Sequence, residues 1–171
     1  MKTKNIFSLV ALSLLLIVPS VSAASAHSDK GGKMSEQHQS TVAKVVHDLT
    51  ELAGKDTNIG EEVTSVAQDQ ETSNERATTA MQAVEARGGF KTFLIGTDYK
   101  NIGALRSEIV TTQNSIDRLT KAKERTTDDA VKADLDTQIQ ALEETNANTL
   151  DFIKENESKF SLFGWFVRIF Q

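Results

Sequence analysis

The sequence contains no cysteine and a single proline, Pro19. Without cysteine there is no disulfide framework, no thiolate zinc site, no cysteine nucleophile and no lipidated cysteine anchor. The net charge is −5 over 171 residues, with no block of Lys or Arg. That argues against a nucleic-acid partner, because neutralising phosphates needs clustered cations. Histidine is scarce: only His27, His38 and His47. His47 and Glu51 stand four apart on one helical face, but two ligands do not make a zinc site and no third is placed. Gly54-Lys55 lacks the rest of a phosphate-binding loop, and no serine sits in a nucleophile-elbow context. Acidic pairs on helices this charged face solvent. No catalytic residue, metal ligand, cofactor or small-molecule site is assigned, and the chain does not read as an enzyme.

What is present begins with an address. Lys2 and Lys4 precede an uncharged run of 13 residues from Ile6 to Val18. Such a run is short for a membrane span and suited to the apolar part of a secretory signal. Pro19 and Ser20 break it, and Val21-Ser22-Ala23 offers small residues for cleavage after Ala23, with Ala24-Ser25-Ala26 a second acceptable site. Residues 1–23 are therefore expected to be a signal peptide and the chain to be exported to the periplasm, the envelope or the exterior. Cleavage would leave 148 residues with no proline; losing Lys2 and Lys4 takes 19 basic residues to 17 against 24 acidic, a net of −7. Proline is excluded most strongly from helix interiors, so its absence favours long helices.

Glycine then does the punctuation. Residues 24–34 are small, polar and glycine-bearing, and are expected to be a flexible linker. Val42, Val45, Leu49, Leu52, Ile59, Val63, Val66, Ala77, Ala80 and Val84 follow one 3-4 template, broken by Asp56, Gln70 and Ser73. A turn is expected at Gly54-Lys55-Asp56-Thr57-Asn58, with Asn58 and Glu61 as a capping pair. Arg87-Gly88-Gly89 reads as a helix stop. Thr97 or Asp98 would cap a third helix, whose stripe is Ile102, Leu105, Ile109, Ile116 and Leu119, with Thr112 polar inside it. Thr126 or Thr127 would cap a fourth. Its apolar residues Val131, Leu135, Ile139, Leu142, Leu150 and Ile153 suggest 4-4-3 spacing, with Asn146 the exception. For the polar residues within stripes, the expected reading is a solvent-facing position or a hydrogen bond from a partner helix. The fold expected is all-α: an elongated, mostly antiparallel bundle of three or four long helices over 35–158, with helices near 35–53, 58–87, 98–125 and 128–158 and coiled-coil-like packing.

Residues 159–171 form an apolar tail. Eight of the 11 residues from Phe160 to Phe170 are large and apolar. Burying each such side chain is worth about 1.5–3 kcal/mol, so the tail needs a cover. It is shorter than the roughly 20 residues a span requires. Three covers are open. One is the bundle itself, which would gather the tail with Phe90, Phe93 and Tyr99 at one end. Another is a membrane surface, with Trp165 and the phenylalanines in the interface and Arg168 at headgroup level. The third is a protein partner or a second copy of the chain.

The stretches Lys91-Thr92-Phe93-Leu94-Ile95-Gly96-Thr97-Asp98-Tyr99-Lys100-Asn101, Leu105-Arg106-Ser107-Glu108 and Phe160-Ser161-Leu162-Phe163-Gly164-Trp165 carry a resemblance to small exported all-helical bacterial proteins with a tail of this type. The resemblance implies export and a helical fold, and no chemistry. The function expected is that of a structural or interaction protein of the cell envelope. Its contact residues would be Phe160, Leu162, Phe163, Trp165, Phe166, Arg168 and Phe170. The alternative is a periplasmic-type chaperone or adaptor that clasps apolar clients; a helical secreted toxin is a third reading.

Overall fold

The computed structural model describes residues 33–87 and 96–157, which form four helices: α1 (Met34–Ala53), α2 (Gly60–Ala86), α3 (Tyr99–Arg125) and α4 (Asp129–Glu157). The cleavage site at Ala23, most of the expected linker, Phe90, Phe93 and the tail lie outside the described residues. Each helix packs on two others, α1 and α3 each lying against both α2 and α4. The result is an all-α four-helix bundle.

Cross-helix bonds give the directions. The start of α1 meets the end of α2, where Ser35 Oγ donates to Glu85 Oε2 at 2.6 Å and Ser35 N donates to Oε1 at 3.0 Å. Ser73 Oγ donates to Glu108 Oε2 at 2.8 Å, while Arg118, further along α3, reaches back to Glu62 and Asp69 on α2. Arg106 meets Glu157 at 2.6 Å and Lys123 meets Asp136 at 2.5 Å. Gln138 Nε2 donates to Asp48 Oδ2 at 3.3 Å, and Lys55 pairs with Asp134 at 2.9 Å. Every adjacent pair is antiparallel. The bundle therefore has a turn end, holding the α1–α2 and α3–α4 joints, and an open end, where α1 and α3 begin and α2 and α4 finish.

The buried positions share one register. On α2 they include Val63, Val66, Gln70, Ser73, Ala77, Ala80 and Val84. On α3 they include Leu105, Glu108, Thr112, Ser115, Leu119 and Ala122. On α4 the series Val131, Leu135, Gln138, Leu142, Thr145, Thr149, Phe152, Asn156 is buried at unbroken 4-3 spacing. Ile139 and Ile153 of the expected apolar series are buried as well, so the correction to the 4-4-3 reading falls on Leu150 alone. Following apolar side chains alone selects Leu150, which is 43% exposed, over its buried neighbour Thr149. The core keeps the heptad and fills its middle with hydroxyls.

The joints also differ in detail from the sequence expectation. Asn58 is not a side-chain cap: Ile59 takes the N-cap position of α2 without a side-chain bond, and Asn58 Nδ2 donates to Arg125 O at 3.1 Å. The cap of α4 is neither threonine but Asp128, whose Oδ1 accepts from Ala130 N at 2.8 Å and Val131 N at 3.2 Å. Thr126 Oγ1 instead donates to Asp56 Oδ2. Both differences have one cause: the turns lie against each other, so the Asn58 and Thr126 side chains donate across the bundle, Thr126 Oγ1 also accepting from Asp128 N at 3.3 Å. Of the two candidates before α3, Asp98 is the cap, accepting from Asn101 N at 3.3 Å.

The α1–α2 turn is tight. A Cβ added at Gly60 would stand 2.6 Å from the carbonyl oxygen of Ala53. Only a residue without a side chain lets α2 start this close to the end of α1.

Candidate functional site

The apolar interior comes in two clusters. At the turn end are Val45, Leu49, Leu52, Ile59, Val63, Val66, Ile116, Leu119, Leu135 and Leu142, among others. At the open end are Ala77, Ala80, Met81, Val84, Ile102, Leu105, Phe152 and Ile153. Between them lies a polar belt. Gln70 Nε2 donates to Ser115 Oγ at 3.0 Å, Thr112 Oγ1 donates to Gln70 Oε1 at 3.4 Å, and Ser73 donates to Glu108. Gln70 is 1% exposed. Asn74 Nδ2 donates to Gln39 O on α1, and Asn146 Nδ2 on α4 donates to Ile109 O on α3. Thr145 and Thr149 are buried and turn their hydroxyls to Ala141 O and Thr145 O.

Among the described residues no buried side-chain nitrogen or oxygen lacks a partner. The belt therefore costs little as packed, yet penalises any register that separates its partners, because each orphaned polar group then bears its desolvation cost. Gln70, Ser73, Thr112 and Asn146 stood out in the sequence as interruptions of apolar stripes. The first three prove to be buried and bonded to side chains of a neighbouring helix, and Asn146 bonds to a backbone oxygen of α3. Glu108, Ser115, Thr145 and Thr149 could have been found by completing the 4-3 register through polar positions.

The α1–α4 seam is built differently. Near the open end, His38, Gln37, Thr41 and Met34 of α1 face Thr145 and Asn148 of α4 across a cleft of about 10 Å³, the room of one water. Burial pulls the His38 imidazole down to about 4, so it is neutral at pH 7. Nearer the turns, Asp48, Glu51, Leu52 and Lys55 face Asp134 and Gln138 across about 170 Å³. Hydrogen bonds to Lys44 and His47 hold the Asp48 carboxyl below its ordinary value.

The open end collects chain ends. Thr97 Oγ1 donates to Asn156 O at 3.2 Å, and Arg87 Nη1 lies 3.8 Å from Asp98 Oδ2 and 3.4 Å from Gly96 O. The Asn101 side chain, then the Asn101 N–H and the Arg87 charge, lower the Asp98 carboxyl. Gly96 adopts φ 93°, in the region where a side chain is strained. Arg87, Gly96 and Glu157 thus stand at one end, and residues 88–95 and 158–171 attach there.

Of the candidate contact residues, Tyr99 alone is among the described residues; it is 69% exposed at the start of α3. Phe90, Phe93, Phe160, Leu162, Phe163, Trp165, Phe166, Arg168 and Phe170 lie outside them, so the aromatic cluster is neither assembled nor refuted. His47 lies on the exposed face of α1, 3.8 Å from Glu51 and 3.5 Å from Asp48. Among the described residues no three acidic, histidine or cysteine side chains converge as a metal site would need, and no helix is long and apolar enough to cross a membrane. Compared with known protein families, with characterised proteins and with solved structures, the chain matches none.

Proposed function

We propose that this protein is an exported, non-enzymatic interaction module of the cell envelope, which uses its open end to contact a membrane surface or a protein. The observation that carries the reading is the meeting of Arg87, Gly96, Asn156 and Glu157 at one end. The two aromatic-rich segments, 88–95 and 158–171, attach to those helix ends. An exposed Tyr99 stands beside them. Aromatic-rich segments of this composition suit insertion at a lipid headgroup boundary or docking in an apolar pocket. Apart from Val110 and Leu150, the large side chains exposed on the rest of the described surface are polar or charged, with ion pairs such as Lys44–Asp48, Lys132–Asp129 and Lys154–Asp151.

The test is co-sedimentation with liposomes, comparing residues 24–171 with a form ending at Ser158, with light scattering on both. Membrane contact predicts that only the longer form pellets. Self-association predicts that only the longer form is oligomeric without lipid. The reading fails if neither form binds or assembles and the shorter one is simply less stable, since the tail is then ordinary core.

A further inference from the structure

We propose that the α1–α4 seam is the mouth of the bundle, and that it parts from the open end while α2 and α3 stay together as a spine.

Four seams close the ring, and they are held unequally. α1 and α2 are a hairpin, joined by the tight turn at Gly60 and pinned at its far end by both bonds from Ser35 to Glu85. α3 and α4 are a hairpin as well, pinned by Lys123–Asp136 near the turn and by Arg106–Glu157 at the other end. The α2–α3 seam carries a clamp in which Arg118 serves three partners on α2: Glu62 at 2.5 Å, Asp69 at 2.6 Å and Ser65 at 2.9 Å. Gln70, Ser73, Glu108, Thr112 and Ser115 continue that line of bonds into the interior.

The α1–α4 seam joins the first and last helices, so no loop ties it. Between described residues of α1 and α4 the side-chain bonds are Lys55–Asp134 and Asp48–Gln138, both towards the turn end, and the first is solvent-exposed. Exposed pairs of this kind contribute little. The two clefts described above lie on this seam: the larger, nearer the turns, is bridged by Lys55–Asp134, and the one-water cleft nearer the open end is lined by described side chains with no cross-seam bond among them. A seam with few bonds, internal space and no covalent link is where local opening is cheapest. Opening there exposes Val42, which is 2% exposed in the closed bundle, and the hydroxyl belt beneath it.

The absence of cysteine makes the test clean. Thr145→Cys and Ser115→Cys place one thiol each at the level of the belt, the first on the mouth and the second on the spine. Both parent residues are buried, at 5% and 2% exposure. Under native conditions the thiol of T145C is expected to react at least about 10-fold faster than that of S115C, with a rate that responds weakly to low denaturant, as sub-global opening requires. Equal rates that track global unfolding overturn the proposal. Paired spin labels provide a measurement that leaves the belt intact. Labels at Gln37 and Ala147, across the mouth, should show a second, longer distance, while labels at Gln68 and Asn114, across the spine, show one. A single distance in both pairs, or a second distance in both, also overturns it.

Discussion

The two halves of this bundle are built from the same 4-3 register and differ in what fills it. At the turn end Leu49, Val63, Leu119, Leu135 and Leu142 are completely buried, and the two turns are sewn together by Thr126–Asp56 and Asn58–Arg125. At the open end Ala77, Ala80 and Met81 share the interior with Ile102, Leu105, Phe152 and Ile153, and four helix termini are held by polar pins. Large branched side chains in a closed end resist rearrangement. The adaptable Met81 gives the open end one side chain that can shift to follow a change in its neighbours. Under the proposed function this is a division of labour: the turn end is the better-anchored one, and the open end makes the contacts.

The largest effect should come from Leu119→Ala. Truncating a leucine at a fully buried position costs about 2–5 kcal/mol, depending on how far the site can collapse. We expect about 4 kcal/mol for Leu119→Ala and about 3 kcal/mol for Leu105→Ala at the open end, where Met81 can shift into the space. Urea unfolding of both variants checks this, and equal losses would erase the contrast between the halves.

Acid should come next. The folded-state value of His38 is depressed from 6.5 to about 4 by burial. Between those two values the unfolded chain binds the extra proton, so stability falls as pH drops from about 6.5 to about 4. The loss is at most about 3 kcal/mol by linkage. His38→Gln should flatten that stretch of the stability profile. Asp48, Asp56 and Asp98 have lowered values, so their contribution is present above their unfolded value of 3.8 and is lost only below it. An undiminished acid slope in the glutamine variant would remove His38 from the account of the α1–α4 seam.

Two glycines sharpen the contrast further. Gly60→Ala forces its new Cβ onto Ala53 O and should cost about 1–2 kcal/mol despite alanine's better helix propensity. Gly103→Ala meets nothing within 4 Å and should stabilise by about 0.5–1 kcal/mol. Thermal melts of the pair decide both signs.

Much of this architecture was legible in residue spacing. All ten apolar residues of the stripe from Val42 to Val84 are buried, as are Ile102, Leu105, Ile116 and Leu119. The joint after Ala53 could be read from turn chemistry at Gly54-Lys55-Asp56. The caps were harder, because Asn58 and Thr126 are good local caps whose donated bonds go to the opposite turn, a contact between residues some 70 positions apart. The fourth helix was misread at one position, because Leu150 competes with Thr149 and apolarity alone picks the exposed residue. The belt was visible only as interruptions: Gln70, Ser73 and Thr112 have no internal signal that says which helix completes them. The aromatic contact residues were legible as composition, and Tyr99 is the one whose surroundings are described.

The most direct measurement of the central claim uses the single tryptophan of the chain, Trp165. Its fluorescence reports on the tail and nothing else. Emission should lie at long wavelength in the dilute protein, and should move to shorter wavelength on addition of phospholipid vesicles or with rising protein concentration. Brominated lipid should quench it in the first case and not in the second. Emission already at short wavelength, and unmoved by vesicles, by lipid quencher and by concentration, would mean that Trp165 is part of a closed core and would contradict a contact function for the open end.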